Sequence, residues 1–216
     1  MTRLTPSPRT VTLPAAPELW FNTTMSRRVY LAGPEVFLLN AREIGAHKRA
    51  ICARHGLVGV FPADEEDTGD PALPLPAQGL AISRAMERAM RGCDAMIVNL
   101  TPFRGPSADV GSAYEMGFMR ALGRPIFGYT HDARPFRDRV AAFCGGQVRT
   151  RATGGHEDPD GMAIEPFQMH DNLMLAGGVI ASGGCIIAEA APHADRYTAL
   201  IAFERCVARA ATELSR

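Results

Sequence analysis

From Arg28 onward, short apolar runs alternate with longer stretches whose apolar residues recur every three or four positions. Val29-Tyr30-Leu31-Ala32-Gly33-Pro34 is a short apolar run closed by Gly-Pro, the pattern of a buried strand ending in a turn. Residues 38–55 set Leu38, Leu39, Ile44, Ile51 and Cys52 among polar neighbours, with Gly56 just past the end, which predicts a helix. Val58 to Phe61 reads as a second strand, stopped by Pro62. Residues 63–77 combine acidic residues with Gly69, Pro71, Pro74 and Pro76 and read as a loop. Ile82, Met86 and Met90 fall four apart and predict a helix from Leu80 to Met90. Asp94 to Leu100 is a third strand, Asp109 to Leu122 a helix closed by Gly123, and Pro125 to Tyr129 a fourth strand. Residues 130–168 are polar and glycine-rich, without an assignable period. Ala176 to Ala188 is small and apolar and fits strand or helix, and Asp195 to Ser215 is an amphipathic helix. Strands alternating with helices predict an α/β fold of βαβ units, with a mostly parallel sheet covered on both faces.

The first 26 residues break this pattern. Pro6, Pro8, Pro14 and Pro17 rule out a helix through most of them, so residues 1–26 read as a loose leader and 27–216 as the folded domain. Trp20 and Phe21 are apolar enough to dock on that domain. Met25, just before the first strand, is an alternative start.

A chain of 216 residues suits one such domain. Its 23 basic and 23 acidic residues cancel, which argues against nucleic acid as the main partner and against a polybasic membrane binder. No run of about 18 apolar residues exists to span a bilayer, and Met1 to Arg9 lacks the apolar core of a signal peptide. The five cysteines are scattered and form no CxxC. That usage points to reduced thiols in the cytoplasm rather than a zinc site or a disulfide framework. His156-Glu157-Asp158-Pro159-Asp160-Gly161 is oxygen-rich but lacks the ligand period of a calcium loop, and its Asp-Pro and Asp-Gly pairs are turn formers.

In an open parallel sheet, ligands sit beyond the carboxyl ends of the strands. Gly33-Pro34-Glu35, the loop 101–109 and the start of the helix after Asp109 converge there. Asp109 is first of all an N-cap residue. Glu115 follows on the second turn among Tyr114, Met116 and Phe118, an apolar setting for a glutamate. The positive end of the helix dipole is expected to help keep it ionised, and an ionised carboxylate facing a cleft can serve as a nucleophile. A buried Tyr30 hydroxyl needs a partner, which a carboxylate on the neighbouring helix would supply.

Four blocks together resemble the nucleoside 2-deoxyribosyltransferases: Tyr30-Leu31-Ala32-Gly33-Pro34-Glu35-Val36-Phe37, Cys93 through Gly105, Asp109-Val110-Gly111-Ser112-Ala113-Tyr114-Glu115-Met116-Gly117, and Asn172-Leu173-Met174-Leu175. The resemblance spans roughly residues 28–185. It implies a flavodoxin-like sheet and exchange of nucleobases on 2-deoxyribose, without metal or organic cofactor. It makes Glu115 the nucleophile at C1′, Tyr30 the residue that orients it, and Asp109 the ligand of the sugar 5′-hydroxyl. Gly33, Phe37, Phe103 and Arg104 fall among the substrate-binding residues. Asn172, with Met174 beside it, would enter the site from a neighbouring subunit, in a homodimer or a hexamer of paired subunits. The partners implied are a deoxynucleoside and a free nucleobase. One position departs from the family: Met86 stands where an Asp or Asn usually contacts the base, so Arg84, Glu87 and Arg104 become alternative base contacts. Asp94, at the start of its strand, reads as structural.

Two rival readings remain open at this level. Related 2′-deoxynucleoside 5′-monophosphate N-glycosidases carry a serine in place of Asp109 and a small hydroxyl residue in place of Asn172; a phosphate against Asp109 would meet like charge. The other rival is a nucleoside-binding module without catalysis.

Overall fold

The computed structural model describes residues 26–62 and 71–216. The leader up to residue 25 and positions 63–70 of the expected loop lie outside the described residues. Five parallel strands form the central sheet in the order β2-β1-β3-β4-β8: β1 (Arg28–Ala32), β2 (Val58–Val60), β3 (Ala95–Asn99), β4 (Ile126–Thr130) and β8 (Ile186–Ala188). This is the flavodoxin-like order expected from the resemblance, and its reversal between β1 and β3 opens a crevice at their carboxyl ends.

Period-two alternation sends successive strand residues to opposite faces. Val29, Leu31, Ala95, Ile97 and Phe127 pack with α1 (Ala41–Arg54) and α6 (Ile201–Leu214), where Cys52, Phe203 and Val207 complete one core. Tyr30, Ala32, Met96 and Val98 pack on the other face with Met90 of α2 (Leu75–Arg91), Met116 and Met119 of α3 (Val110–Ala121) and Val179 of α5 (Leu173–Ala181). Both faces are therefore covered, as the near-continuous apolar strands require.

Four sequence expectations change. The last helix begins at Ile201, not Asp195, after a 3₁₀ turn at His193–Asp195. The second long helix begins at Leu75, not Leu80, because Pro74 caps it and Pro76 sits in the first turn, where a missing N–H costs nothing. The run 176–188 is neither one strand nor one helix. It divides into α5 and β8 at Gly183-Gly184, where Gly183 has φ 88° and a Cβ on Gly184 would lie 1.7 Å from the Ile126 carbonyl oxygen. Residues 130–168, which showed no period, hold α4 (Phe136–Phe143) and a small antiparallel sheet of β5 (Arg149–Thr150), β6 (His156–Glu157) and β7 (Ala163–Ile164). Strands of two residues are too short to carry a periodic signal. Asp94 is structural: its carboxylate accepts from the Arg28 backbone N–H at 2.8 Å, joining the starts of β1 and β3.

Candidate active site

Asp109 opens α3. Its Oδ2 accepts from the Ser112 backbone N–H at 2.9 Å and from the Ser112 hydroxyl at 3.2 Å, a cap worth about 1 kcal/mol to the helix. Its Oδ1 accepts no hydrogen bond among the described residues. One and a half turns on, the half-buried Glu115 receives a 2.6 Å hydrogen bond from the Tyr30 hydroxyl. Tyr30 is wholly buried in β1, so an apolar strand position delivers one polar atom to the carboxylate. The expectation that the helix dipole holds Glu115 ionised is corrected. Burial pushes its pKa up to about 7; the Tyr30 hydrogen bond opposes that rise and the Asp109 charge adds to it. The dipole acts within the first turn, and Glu115 lies beyond it.

A second group forms the rim. Phe37 closes the 3₁₀ turn Pro34–Phe37 and stacks on Phe103, ring centroids 5.3 Å apart and planes 8° from parallel. The Arg104 guanidinium lies over both rings, 4.6 Å from Phe103 and 5.2 Å from Phe37. Arg104 holds φ 55°, a left-handed conformation uncommon for a non-glycine residue.

Gly33 lies between the two groups along the chain, and its neighbour Glu35 was not singled out for any role by sequence reasoning. Glu35 is buried, and its Oε1 accepts from Lys48 Nζ at 2.6 Å, Tyr129 OH at 2.6 Å and Asn99 Nδ2 at 3.0 Å. Burial raises its pKa, but the Lys48 charge and these hydrogen bonds outweigh burial and leave it lowered. A Cβ on Gly33 would sit 2.1 Å from Glu35 Oε2 and 2.8 Å from Asn99 Cβ. Gly33 is thus required by close approach to this network. A buried Lys on a helix was a missed signal: Lys48 occupies an inward position of α1, where an unpaired cation would not be tolerated.

Asn172 caps α5: its Oδ1 accepts from the Met174 backbone N–H at 3.0 Å, and its Nδ2 donates to Glu165. Met174 is 72 % exposed. The residue before, Asp171, also escaped the sequence reading. Fully buried, it accepts from the Ser107 hydroxyl, the Ala108 N–H at 3.0 Å and the Asn172 N–H at 2.7 Å, with Arg139 Nη2 3.5 Å away. Asp171 therefore ties the loop that ends in Asp109 to the start of α5. Of the alternative base contacts, Glu87 reaches α3 by accepting 2.6 Å from Tyr114 OH; Arg84 is exposed. Met86 is half-buried on the same helix and has no group to bond a base.

The sheet order defines a doubly wound α/β protein, and the helix that follows β3 carries a tyrosine-bound carboxylate, with an aromatic rim on the neighbouring loops. The chain matches the family model described as nucleoside 2-deoxyribosyltransferase over residues 29–174. It is 34 % identical over 167 residues to an uncharacterized protein of Schizosaccharomyces pombe, covering 73 % of this chain and 79 % of that one. It also superposes on the solved 2-desoxiribosyltransferase from Leishmania mexicana with a TM-score of 0.50 and 28 % identity, covering 69 % of this chain and 85 % of that one. The chain belongs to the nucleoside 2-deoxyribosyltransferase family, whose chemistry is deoxyribosyl transfer or N-glycosidic cleavage on nucleosides and nucleobases. Among the described residues, no helix is long and apolar enough to cross a membrane.

Proposed function

We propose that the protein transfers 2-deoxyribose between nucleobases in two displacement steps, with Glu115 as the nucleophile. The observation that carries this reading is the 2.6 Å bond from a buried tyrosine hydroxyl to a carboxylate at the switch crevice. As the first base leaves, the sugar gains oxocarbenium character, and Glu115 captures C1′ as an ester. The second base attacks from the face the first one left, so the β configuration is retained. Tyr30 fixes the direction of the carboxylate. Asp109 keeps one oxygen for its helix and offers Oδ1 to the 5′-hydroxyl. Phe37, Phe103 and Arg104 provide a flat surface for the base, and Gly33 lets the chain that leads to Phe37 pass close to Glu35.

Asn172 and Met174 complete the site of a neighbouring copy. The apolar groove of about 410 Å³ between α3 and α5, lined by Met116, Leu173, Met174 and Gly178, supports that pairing. Mixing Glu115→Ala with Asn172→Ala protein tests it: shared sites regain part of the activity that each variant lacks, and no regain removes the shared site.

Incubation with deoxyinosine and free adenine, read by chromatography, tests the reaction. Deoxyadenosine appears if transfer occurs. Release of hypoxanthine alone would make the protein a hydrolase, and a mass-spectrometric search for a deoxyribosyl adduct on Glu115 tests the intermediate.

A further inference from the structure

The carboxyl end of the sheet carries a second opening, over β4 and β8 and apart from the Tyr30–Glu115 pair. It has a volume of about 740 Å³ and is lined by Arg104, Arg134, Arg196, His131, His193 and Tyr197. Asp132 is the acidic residue in its wall, and it holds Arg134 through both oxygens, at 2.9 and 2.6 Å. Arg104 and Arg196 have no carboxylate partner in a salt bridge among the described residues.

Both free guanidinium groups are held in place rather than left loose. Arg104 stacks on Phe37 and Phe103. Arg196 lies 4.5 Å over Tyr197 and donates from Nη1 to the His193 carbonyl at 2.6 Å. The Tyr197 hydroxyl in turn donates to the Pro102 carbonyl, which anchors this wall to the 101–105 loop. His131, 5 % exposed, lies 2.8 Å through Nδ1 from the Arg196 carbonyl. A carbonyl only accepts, so Nδ1 carries the proton, and Nε2 has no partner among the described residues.

We propose that this cavity binds a phosphate monoester that carries a planar aromatic group, the chemistry of a nucleoside monophosphate. Two uncompensated guanidinium groups match the charge of a phosphate, between one and two negative units near neutrality, and their fork geometry suits its oxygens. The volume exceeds what a lone phosphate fills and lies in the range of small-ligand pockets. The planar Arg196 guanidinium, itself stacked over Tyr197, gives a flat cationic surface beside which a base can stack. The cavity shares Arg104 with the aromatic rim of the acidic crevice, and the phosphate is placed at its Arg196 side, away from Asp109, whose charge would repel it.

Titration calorimetry on Glu115→Ala protein tests the proposal without turnover of the probe, and so independently of the transferase reading. The probes are deoxyadenosine 5′-monophosphate, inorganic phosphate and deoxyadenosine. The monophosphate should bind, and Arg196→Ala in the same background should weaken it roughly tenfold or more, with deoxyadenosine unchanged. Binding should also weaken as salt rises from low to physiological strength. Arg134→Gln gives a second variant should Arg196→Ala fail to fold; it should lower monophosphate affinity in the same direction. Arginine-dependent binding of inorganic phosphate as well would identify the phosphate group as the main determinant; monophosphate binding alone would assign the site to the nucleotide. No binding by either anion at low salt, or binding that neither arginine variant changes, overturns the proposal.

Discussion

Two glutamates flank the carboxyl end of the sheet, one on each face, and each accepts a 2.6 Å hydrogen bond from a buried tyrosine: Glu35 from Tyr129 and Glu115 from Tyr30. Their acidities move in opposite directions, Glu35 down and Glu115 up to about 7. Burial raises both. The difference is Lys48, 2.6 Å from Glu35 and 4.9 Å from the Phe203 ring centroid; the nearest charge acting on Glu115 is the like charge of Asp109. A tyrosine alone orients a buried carboxylate but does not offset its desolvation, whereas a cation does. One face of the sheet thereby holds a structural anchor whose carboxyl is kept below its ordinary acidity range, and the other a carboxylate poised to gain or lose a proton near neutrality.

The largest expected effect breaks the reactive member of the pair. Glu115→Gln should lower deoxyribosyl transfer roughly ten-thousand-fold, since the amide cannot capture C1′; chromatography of the deoxyinosine and adenine reaction reads it. Retained transfer would remove Glu115 from the mechanism. Breaking the anchor comes next. Lys48→Met should destabilise the fold by about 3–5 kcal/mol, because Glu35 is left charged and unpaired in the core, and urea unfolding measures it. The double variant Lys48→Met, Glu35→Gln should recover part of that loss.

The third test separates the two glutamates by pH. The folded protein holds the Glu115 proton more tightly than the unfolded chain, so this group favours folding below its ordinary 4.5, and that contribution is gone once the pH passes about 7. Glu35, with its pKa lowered, contributes above 4.5 and loses that contribution in acid. Glu115→Gln should therefore gain up to about 3 kcal/mol over the unmodified protein as pH rises from 5 to 8, seen as a higher Tm at pH 8 and a nearly equal one at pH 5. Equal Tm differences at both values would show that Glu115 titrates normally. The smallest effect is Tyr30→Phe. Loss of a hydrogen bond to a charged group, about 1.5–3 kcal/mol, should lower kcat by roughly ten- to a hundredfold and move the acid limb of the rate profile above about 7. An unmoved limb would mean that Tyr30 does not act through the Glu115 carboxylate.

The alternation of strands and helices from Arg28 to Tyr129 was legible because each element writes its own pattern into local sequence: a short apolar run closed by Gly-Pro for Val29 to Ala32, a spacing of four for Ile82, Met86 and Met90. Asp109 announced a helix start, and the residues that follow it carry Glu115 into the second turn by helical geometry alone. The protonation state of Glu115 was not legible. It depends on how much water the core around Met116 and Tyr30 excludes, a property of packed neighbours rather than of chain spacing. Glu35 finds Lys48 13 residues away and Tyr129 94 residues away, and Asp171 reaches back 64 residues to Ser107. The five arginine and histidine side chains around the second cavity come from three separate segments of the chain. Local order follows from short-range sterics and apolar periodicity, which a sequence displays directly. Charge pairing, desolvation and the shape of a cavity arise only when distant segments are brought together, so the tertiary structure alone decided them.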